Sequence, residues 1–479
     1  MIMLFNSYAF VFLFLPICLL GFYICRAITG SKGKDWLLKV FLIAISLWFY
    51  GFLKPENIPV LLISMIINYG IYGLMERRND KKSLLIWGLF VNLAALFFFK
   101  YTGSFFVPLG ISFFTFSQIA FLMESYRGNL RRVNALDYGV YITFFPKLAE
   151  GPIALPAEML QQIKEVCGKK LDFEELYRGI CLFTLGLGKK VLLSDTLGRA
   201  ADYGYSNLAS LNSGDALIVM LSYTLQIYFD FSGYCDMAMG IAGMLGFTLP
   251  LNFDSPYRAR NIIEFWKGWH ITLTRFFTRY LYIPLGGNRK GRTRTYLNTL
   301  IVFLVSGIWH GAGWQFIIWG MMHGVLYVIT RWMSERKDAG PQRQSGVKRV
   351  LSTAGTFLYV NIAWVFFRAP SVKEALSLLG TMIKCNFTKI DRNLAGCFNL
   401  DEFWYVIKVL RIDKWQYAHY ILTVLLLLVS LLLVFFAKPA VKTAEKMKPS
   451  VRNAVMMAVL FVWCVVSFSE VSSFIYFNF

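Results

Sequence analysis

The chain has 479 residues, of which 57% are hydrophobic, 17% are aromatic and only 16% are charged. This composition is too apolar for a soluble globular domain, and it excludes a cytosolic enzyme that carries a single membrane anchor. The 49 Lys and Arg against 28 Asp and Glu give a net charge of +21. Because the basic residues lie in short segments between apolar runs, membrane topology explains this charge, and nucleic-acid binding is not expected.

Apolar runs of about 20 residues, enough for a helix to cross a bilayer, recur along the whole chain. We predict an all-α, polytopic integral membrane protein with about eleven membrane segments, some of them re-entrant or interfacial. The candidate spans are 5–25, 36–53, 57–75, 82–100, 104–123, 138–157, 176–194, 215–246, 296–332, 352–369, 418–437 and 453–473. No segment of the size of a soluble domain remains, so a single transmembrane domain over 1–479 is expected.

Basic loops alternate with nearly uncharged turns, and this alternation predicts the orientation of the chain. Lys and Arg cluster at 76–82, 127–132, 331–349 and 438–452, whereas the turns at 54–56 and 100–103 are nearly uncharged. Positively charged loops stay in the cytosol, so the N-terminus is expected outside.

The apolar run 296–332 is long enough for two passes, and basic segments stand at both of its ends. The run must therefore enter the membrane and return on the same side. The bend is expected near Trp309-His310-Gly311-Ala312-Gly313, which places His310 at membrane depth.

Two aspartates, Asp230 and Asp236, lie in an apolar run. Ionisable residues at bilayer depth cost about 2.5–3.5 kcal/mol each on insertion scales, so they are either paired or functional. Six residues correspond to roughly 600° around a helix, so the two carboxylates do not share one face and a proton-sharing pair is not expected. Each aspartate either neutralises one of Lys267, Arg275 and Arg279, or caps an interrupted helix, or takes a direct part in the chemistry.

Segment 261–283 has a helical pattern but is too polar to cross a membrane freely. One face carries a largely aromatic stripe: Trp266, His270, Leu273 and Phe277. The cations Lys267, Arg275 and Arg279 gather on another face. This pattern predicts an interfacial or cavity-lining helix. The cations bind either lipid phosphates or an anionic substrate in a cavity.

Four histidines are present: His270, His310, His323 and His419. Histidine is the natural general base near neutral pH, and a hydroxyl nucleophile needs such a base within hydrogen-bond reach. The predicted bend lets His310 face a cavity, although a histidine on an apolar face is also a common core residue. His323 lies within an apolar helix and His419 at the end of a span, which is typical of packing and interface residues.

Several motifs are spread over nearly the whole chain. They include Pro108-Leu-Gly-Ile-Ser-Phe-Phe-Thr-Phe116, Glu150-Gly151-Pro152-Ile153, Tyr228-Phe-Asp230-Phe-Ser-Gly-Tyr-Cys-Asp236, Trp269-His270-Ile-Thr-Leu273, Ile283-Pro-Leu-Gly-Gly-Asn-Arg289 and Trp309-His310-Gly-Ala-Gly-Trp314. In these motifs the chain resembles the membrane-bound O-acyltransferase (MBOAT) superfamily, and most of all the bacterial branch that contains the membrane subunit of alginate O-acetyltransferase. Glu150 departs from the pattern, because a small or apolar residue is expected there.

The resemblance implies the MBOAT fold, with helices around a central cavity, in a bacterial plasma membrane. It implies a catalytic core over 138–335, between N-terminal helices 1–137 and C-terminal helices 336–479. His310 matches the essential membrane-embedded histidine of the family, and His270 matches the second one. The residues expected to line the cavity or position a substrate are Asp230, Asp236, Tyr257, Trp266, Trp269, Arg275, Arg279 and Trp314.

The implied reaction transfers an acyl group, with acetyl expected, from a cytosolic thioester to a hydroxyl of an extracytoplasmic polysaccharide or to a partner acetyltransferase. The donor is acetyl-CoA or an acyl-carrier protein, and neither a metal nor a tightly bound cofactor is expected. Arg289, Lys290 and Arg292 either contact donor phosphates or only set the topology. The alternatives are D-alanyl transfer to teichoic acid, a non-enzymatic transporter of lipid-linked precursors, and a scaffold with inert histidines.

Overall fold

The computed structural model describes residues 3–29, 35–102, 106–169, 171–336, 345–399, 402, 404–411, 415–468 and 474. All regular elements within these ranges are helical, which confirms the all-α prediction. Eight of these helices are long and apolar enough to cross a membrane. The count of about eleven segments is therefore not confirmed. Parts of the predicted spans 104–123 and 453–473 and of the basic loop 331–349 fall outside the described residues.

The first third of the chain forms a bundle of antiparallel helices. A π-helical turn, Phe10–Phe14, leads into α1 (Leu15–Thr29), α2 (Asp35–Leu53), α3 (Asn57–Arg77), α4 (Lys81–Tyr101), α5 (Ile111–Tyr126), α6 (Ala135–Thr143), α7 (Phe145–Leu148) and α8 (Pro156–Glu165). The prediction of one continuous span over 138–157 is wrong, because the helix breaks at Phe144 and the chain is not helical over 149–155. Pro146 at the start of α7 and Pro152 are compatible with this break, since proline does not fit a helix interior.

The middle of the chain contains the elements that carry the predicted site. They are α9 (Phe173–Gly188), a π-helical segment (Lys189–Ser194), α10 (Asp195–Ser206), α11 (Ser213–Met244), a 3₁₀ turn (Pro256–Arg258), α12 (Ile262–Gly268), α13 (Ile271–Phe277), a second π-helical segment (Thr278–Tyr282), α14 (Arg292–His310) and α15 (Trp314–Arg336). The C-terminal part adds α16 (Gly346–Arg368), α17 (Val372–Ile383), α18 (Arg392–Gly396), α19 (Trp404–Val409), α20 (Ala418–Phe436), α21 (Ala440–Ala444) and α22 (Val451–Val466).

Helices α14 and α15 form the predicted hairpin, with the turn directly after His310. Glycines let the two backbones touch. A Cβ atom on Gly307 would lie 2.5 Å from the carbonyl oxygen of Phe316, and one on Gly320 would lie 2.5 Å from that of Phe303. Small residues at a helix crossing are the usual device for close packing in membranes, and here they fix the position of His310.

Helices α9 and α11 are held together by two reciprocal glycine contacts. A Cβ on Gly186 would lie 2.7 Å from the carbonyl oxygen of Gly233, and one on Gly240 would lie 2.7 Å from that of Gly179. The two contacts are seven residues apart on each helix, which is about two turns. The backbones therefore touch along this length, and the side chains that follow Gly186 are brought against α11.

Two faces of the helix bundle are distinguished by their ion pairs. On the basic face, Arg279 of the second π-helical segment pairs with Glu124 of α5 at 2.5 Å, and Arg275 of α13 pairs with Glu158 of α8 at 2.7 Å. The opposite face joins the end of α10 to the end of α16 through Arg368–Asp202, at 2.6 Å. Helix α14 begins at the basic face, so His310 at its other end lies toward the opposite face.

Candidate active site

His310 is the last residue of α14 and is 4% exposed. Its imidazole packs against aromatic rings, with ring centroids 5.0 Å from Trp319 and 4.9 Å from Phe367. The chain leaves the helix at Gly311, whose backbone is extended, and α15 begins three residues later. The predicted bend thus ends the helix at this histidine and places its side chain among the rings of α15 and α16.

The end of α4 caps the helix that carries His310. Lys100 donates a hydrogen bond to the carbonyl oxygen of Trp309, and the Tyr101 hydroxyl donates one to that of Ile308. The last carbonyl groups of a helix have no partner within the helix, and a cation is favourable there. Lys100 also interacts electrostatically with His310. The site therefore contains a cation that the sequence analysis did not identify.

His270 does not lie inside a continuous helix, so the prediction of one helix over 261–283 is wrong. Helix α12 ends at Gly268, and His270 adopts a left-handed backbone conformation with φ of 44° before α13 begins. The cause is the neighbouring segment around Asn252, whose carbonyl oxygen accepts the Ile271 N–H at 3.0 Å. The interruption separates Trp266 from Leu273 and Phe277, so they form no single helical stripe.

Asn252 fixes the tautomer of His270. The side-chain oxygen of Asn252 accepts hydrogen bonds from the backbone N–H of Thr272 at 3.2 Å and from its hydroxyl at 2.8 Å. A backbone N–H is always a donor, so this atom is an acceptor, and His270 Nδ1, 3.0 Å away, must donate its proton to it. Nε2 then carries the lone pair, and it has no hydrogen-bond partner among the described residues.

The two histidines belong to one site. His270 lies close enough to His310 for the two imidazoles to interact electrostatically. His270 is 2% exposed and meets Phe231 edge-on at 4.8 Å. An unpaired polar atom buried in this way costs about 1–3 kcal/mol, a penalty that a hydrogen bond from a bound substrate removes. The fold therefore brings two buried imidazoles toward each other, and His270 Nε2 is left available to a ligand.

Asp230 and Asp236 are both paired with lysines, but not with the cations predicted from the sequence. Lys190 Nζ lies 2.7 Å from Asp230, and Lys189 Nζ lies 2.5 Å from Asp236. Lys190 also pairs with Asp195 at 2.8 Å. The glycine contacts between α9 and α11 bring these groups together. The predicted partners Arg275 and Arg279 instead bind Glu158 and Glu124 on the basic face.

A cavity of about 600 Å³ opens beside the hairpin toward the basic face. Its walls include the cations Lys267, Arg275, Arg279 and Arg331 and the aromatic residues Trp266, Phe277, Tyr282 and Phe303. Ser306, one helical turn before His310, lines the same cavity. This basic-face cavity therefore leads from a cationic rim to within one turn of His310.

A second cavity of about 30 Å³, room for one water-sized group, touches His310 from the other side. It is lined by Lys100, Trp309 and the segment from Val107 to Phe113. We call it the small cavity. The small cavity touches His310 beside the end of α4, and the large one follows α14 as far as Ser306.

Of the remaining predicted residues, two are buried and four are exposed. Tyr257 and Trp269 are buried in the aromatic core behind the site, and the Tyr257 hydroxyl donates to the carbonyl oxygen of Thr224 at 2.6 Å. Trp314 is 72% exposed at the start of α15. Arg289 and Lys290 lie on the exposed loop before α14, and Arg292 is the exposed first residue of that helix. None of the three is among the residues that line the basic-face cavity.

Glu150, the one departure from the family pattern, is 2% exposed in the segment after α7. Neither of its carboxylate oxygens has a hydrogen-bond partner among the described residues. Its neighbour Ala149 lines the small cavity. Glu150 thus lies in the core beside the site.

Sequence reasoning missed Lys100, Asn252, Thr272 and the lysines of the π-helical segment. Lys100 stands at the end of the apolar run 83–99, which contains no other charged residue, and this position is the signal that the sequence offers. Lys189 and Lys190 also stand in an apolar run, after Gly186 and Gly188. Asn252 and Thr272 stand next to or within the motifs that resemble the family, but the sequence did not predict that they position His270, because the two segments meet only in the fold.

The family model of MBOAT, membrane-bound O-acyltransferase family, matches residues 82–367. This range contains His270 and His310, the residues that line the two cavities, and the paired aspartates. The chain belongs to the membrane-bound O-acyltransferase family. It is therefore an acyltransferase of the membrane, and the transporter and scaffold alternatives are not favoured.

Curated relatives cover most of the chain. A protein named peptidoglycan O-acetyltransferase from Helicobacter pylori is 39% identical over 80% of both chains. A protein named probable alginate O-acetylase from Pseudomonas putida is 36% identical over 79% of this chain and 80% of its own length. A teichoic acid D-alanyltransferase from Bacillus subtilis is 29% identical over 54% of this chain and 68% of its own. The branch of the family that the motifs indicated is confirmed.

Proposed function

We propose that this membrane-bound O-acyltransferase transfers an acetyl group from a thioester donor to a hydroxyl group of a cell-surface polysaccharide. The observation that carries the proposal is that the small cavity touches His310 while the basic-face cavity extends along α14 to Ser306, one turn before it. The larger cavity suits a donor, and the smaller one suits a single hydroxyl group. The names of the relatives, which include acetylation of alginate and of peptidoglycan, support acetyl as the group and a glycan as the acceptor.

The lining of the basic-face cavity supports a phosphate-bearing donor such as acetyl-CoA. Arg275 and Arg279 each have an acidic partner, so their net contribution is reduced, but Lys267 has no ion-pair partner among the described residues. Cationic walls attract phosphates, and aromatic walls bury the apolar part of a ligand. An acyl-carrier protein presents the same kind of arm without a nucleotide, and it is the second donor to be tested.

In the proposed reaction His310 accepts the proton of the attacking hydroxyl. The hydroxyl oxygen forms a bond with the thioester carbonyl carbon while the carbon–sulfur bond breaks, and the sulfur leaves as a thiolate that takes the proton from His310. His270 Nε2, which carries a lone pair, accepts a hydrogen bond from the donor or the acceptor and orients it. General acid–base catalysis contributes about 10²–10⁴-fold, and the positioning of two substrates contributes further.

The proposed orientation places the basic face in the cytosol and the N-terminus outside the bacterial plasma membrane. The basic loops support it through the positive-inside rule. In this orientation the donor enters from the cytosol and the acceptor approaches from outside. The acceptor hydroxyl belongs either to the polysaccharide itself or to an extracytoplasmic acetyltransferase that passes the acetyl group on.

The test uses purified protein in lipid vesicles with radiolabelled acetyl-CoA. We expect His310→Ala to lower acetyl transfer at least 100-fold while the protein still inserts and runs as a single species on gel filtration. His419→Ala is the matched control, because this histidine binds Asn399 far along the chain from the site. Retention of more than about one tenth of the activity would show that His310 is not the base. Activity only with a D-alanyl carrier protein would show that the chain catalyses D-alanyl transfer instead of acetyl transfer.

A further inference from the structure

His323 lies inside an enclosure of aromatic rings, here called the aromatic box. The box consists of Phe265, Trp266, Phe303, Trp319, Tyr359 and Trp364. The centroid of the imidazole is 5.0 Å from that of Trp319 and 5.2 Å from that of Trp266. The side chain is completely buried, so the sequence-based interpretation of His323 as a packing residue is correct about its burial.

The polar atoms of the box are not satisfied. Neither ring nitrogen of His323 has a hydrogen-bond partner in the described part of the chain, and the indole N–H groups of Trp266 and Trp319 also have none. A phenylalanine has nearly the same shape and leaves no polar atom without a partner. Because burial of unpaired polar atoms destabilises a protein, packing alone does not account for an imidazole at this position.

The box lies between the basic-face cavity and His310. Trp266 and Phe303 are walls of both the cavity and the box. Trp319 contacts His323 on one side and His310 on the other, at 5.0 Å in each case. A donor that enters the cavity and brings its thioester carbonyl beside His310 therefore passes the level of His323, and the ring of Trp266 stands between the cavity and the imidazole.

Resting on the acyl transfer proposed above, we propose that His323 binds the acyl-thioester arm of the donor by donating a hydrogen bond to one of its carbonyl oxygens. Carbonyl groups that leave water for an apolar passage need a donor there, and a neutral imidazole supplies one N–H. The indole N–H groups of Trp266 and Trp319 offer further donors at the same depth. His323 is then a positioning residue of the donor site, distinct from the base His310.

The decisive variant is His323→Phe, which keeps the ring and removes both nitrogens. We expect its thermal unfolding midpoint in detergent to be equal to or higher than that of the wild type. The ratio kcat/KM should fall about ten-fold, the usual effect of one lost hydrogen bond to a substrate. The fall should be equal for acetyl-CoA and for S-acetylpantetheine, because the arm is common to both. The thermal stabilisation that acetyl-CoA gives to the wild type should decrease in parallel.

Two further variants keep the test decisive. His323→Leu removes the same hydrogen bond with a different shape, and it replaces the Phe variant if the latter does not fold. His323→Gln retains an N–H donor and should recover part of the lost kcat/KM. His419→Phe is the control for a histidine-to-phenylalanine change elsewhere, and its kcat/KM should stay at the wild-type value.

A folded His323→Phe or His323→Leu variant with kcat/KM within about two-fold of the wild type would overturn the inference, and His323 would be a packing residue. This outcome differs from failure of the proposed function, which the His310→Ala variant reports. A wild-type protein that transfers no acetyl group from acetyl-CoA or from S-acetylpantetheine would refute both the proposed function and the role of His323. A chain in which only His310→Ala is inactive would refute the role of His323 alone.

Discussion

Two regions of this protein bury polar side chains among apolar helices, and they do so in opposite ways. Between α9 and α11, each aspartate has a lysine within 2.7 Å, in the pairs Lys190–Asp230 and Lys189–Asp236. Around the α14–α15 hairpin, His270 Nε2 and both nitrogens of His323 have no partner in the described ranges. The ion pairs of the first region satisfy each other's charges without a ligand, whereas these three imidazole nitrogens have no partner in the described part of the chain.

We propose that this difference separates a structural site from a functional one. A paired buried charge is strongly destabilising to break but needs nothing from outside. A buried polar atom without a partner is uncommon in native proteins, and a hydrogen bond from a bound substrate is one way to satisfy it. The presence of polar residues at membrane depth therefore identifies both regions, and only the state of their hydrogen bonds distinguishes the ion pairs of α11 from the histidine site.

The largest expected effect comes from breaking one ion pair. Lys189→Met should destabilise the protein by about 3–5 kcal/mol, because it leaves the carboxylate of Asp236 buried without its cation. We expect a large loss of monodisperse protein and a lower thermal midpoint in detergent. The double variant Lys189→Met with Asp236→Leu should recover most of the stability, since an apolar pair of similar volume replaces the charges.

The double variant also tests the role of Asp236 that the family resemblance suggested. If it is folded and transfers acetyl normally, the pair is structural, as the comparison of the two regions predicts. A folded double variant without activity would place Asp236 in the functional site.

The next largest effect concerns His270. His270→Ala and His270→Gly should both lower acetyl transfer at least ten-fold, because each removes the Nε2 acceptor. They should differ in stability. A left-handed conformation costs a residue with a Cβ about 1–2 kcal/mol more than glycine, so the Gly variant should unfold at a higher temperature than the Ala variant. Wild-type kinetics in either variant would remove His270 from the site.

The accessibility of introduced cysteines to a thiol reagent tests on which side of the membrane each face lies. All eight native cysteines are free thiols, and a variant without them is the starting point. A cysteine that replaces the exposed Trp314, four residues after His310, should react with an impermeant thiol reagent added outside intact cells. A cysteine that replaces Arg289 should react only after permeabilisation. Reaction of both from the same side would contradict transfer across the membrane.

The smallest effect is expected from the basic residues in the loop before α14 and in the first turn of that helix. Joint replacement of Arg289, Lys290, Arg292 and Arg294 by Gln should raise the KM for acetyl-CoA at most a few-fold, and more at low salt. The side chain of Arg292 is 78% exposed, and water and salt screen charges in such positions. An unchanged KM at low ionic strength, with the orientation intact, would leave topology as the only role of these charges.

Much of this protein follows from the sequence alone. The apolar runs predicted an all-helical membrane protein, and the basic segments around 296–332 predicted a hairpin with its turn beside His310. These features are local, because the length and polarity of one segment decide whether it can stay in a membrane. The motifs that resemble the acyltransferase family are local as well, and they identified the family and both histidines.

Only the tertiary structure decided which polar groups are paired. Asp230 and Asp236 pair with Lys190 and Lys189 because two glycine contacts bring α9 against α11. Helix α12 ends before His270 because Asn252 accepts hydrogen bonds from the backbone and side chains of the residues that follow. His323 becomes notable only through the rings that surround it. Hydrogen bonds and ion pairs between distant segments form only when packing brings the atoms to the right distance within a few tenths of an ångström. The sequence of one segment does not determine these distances.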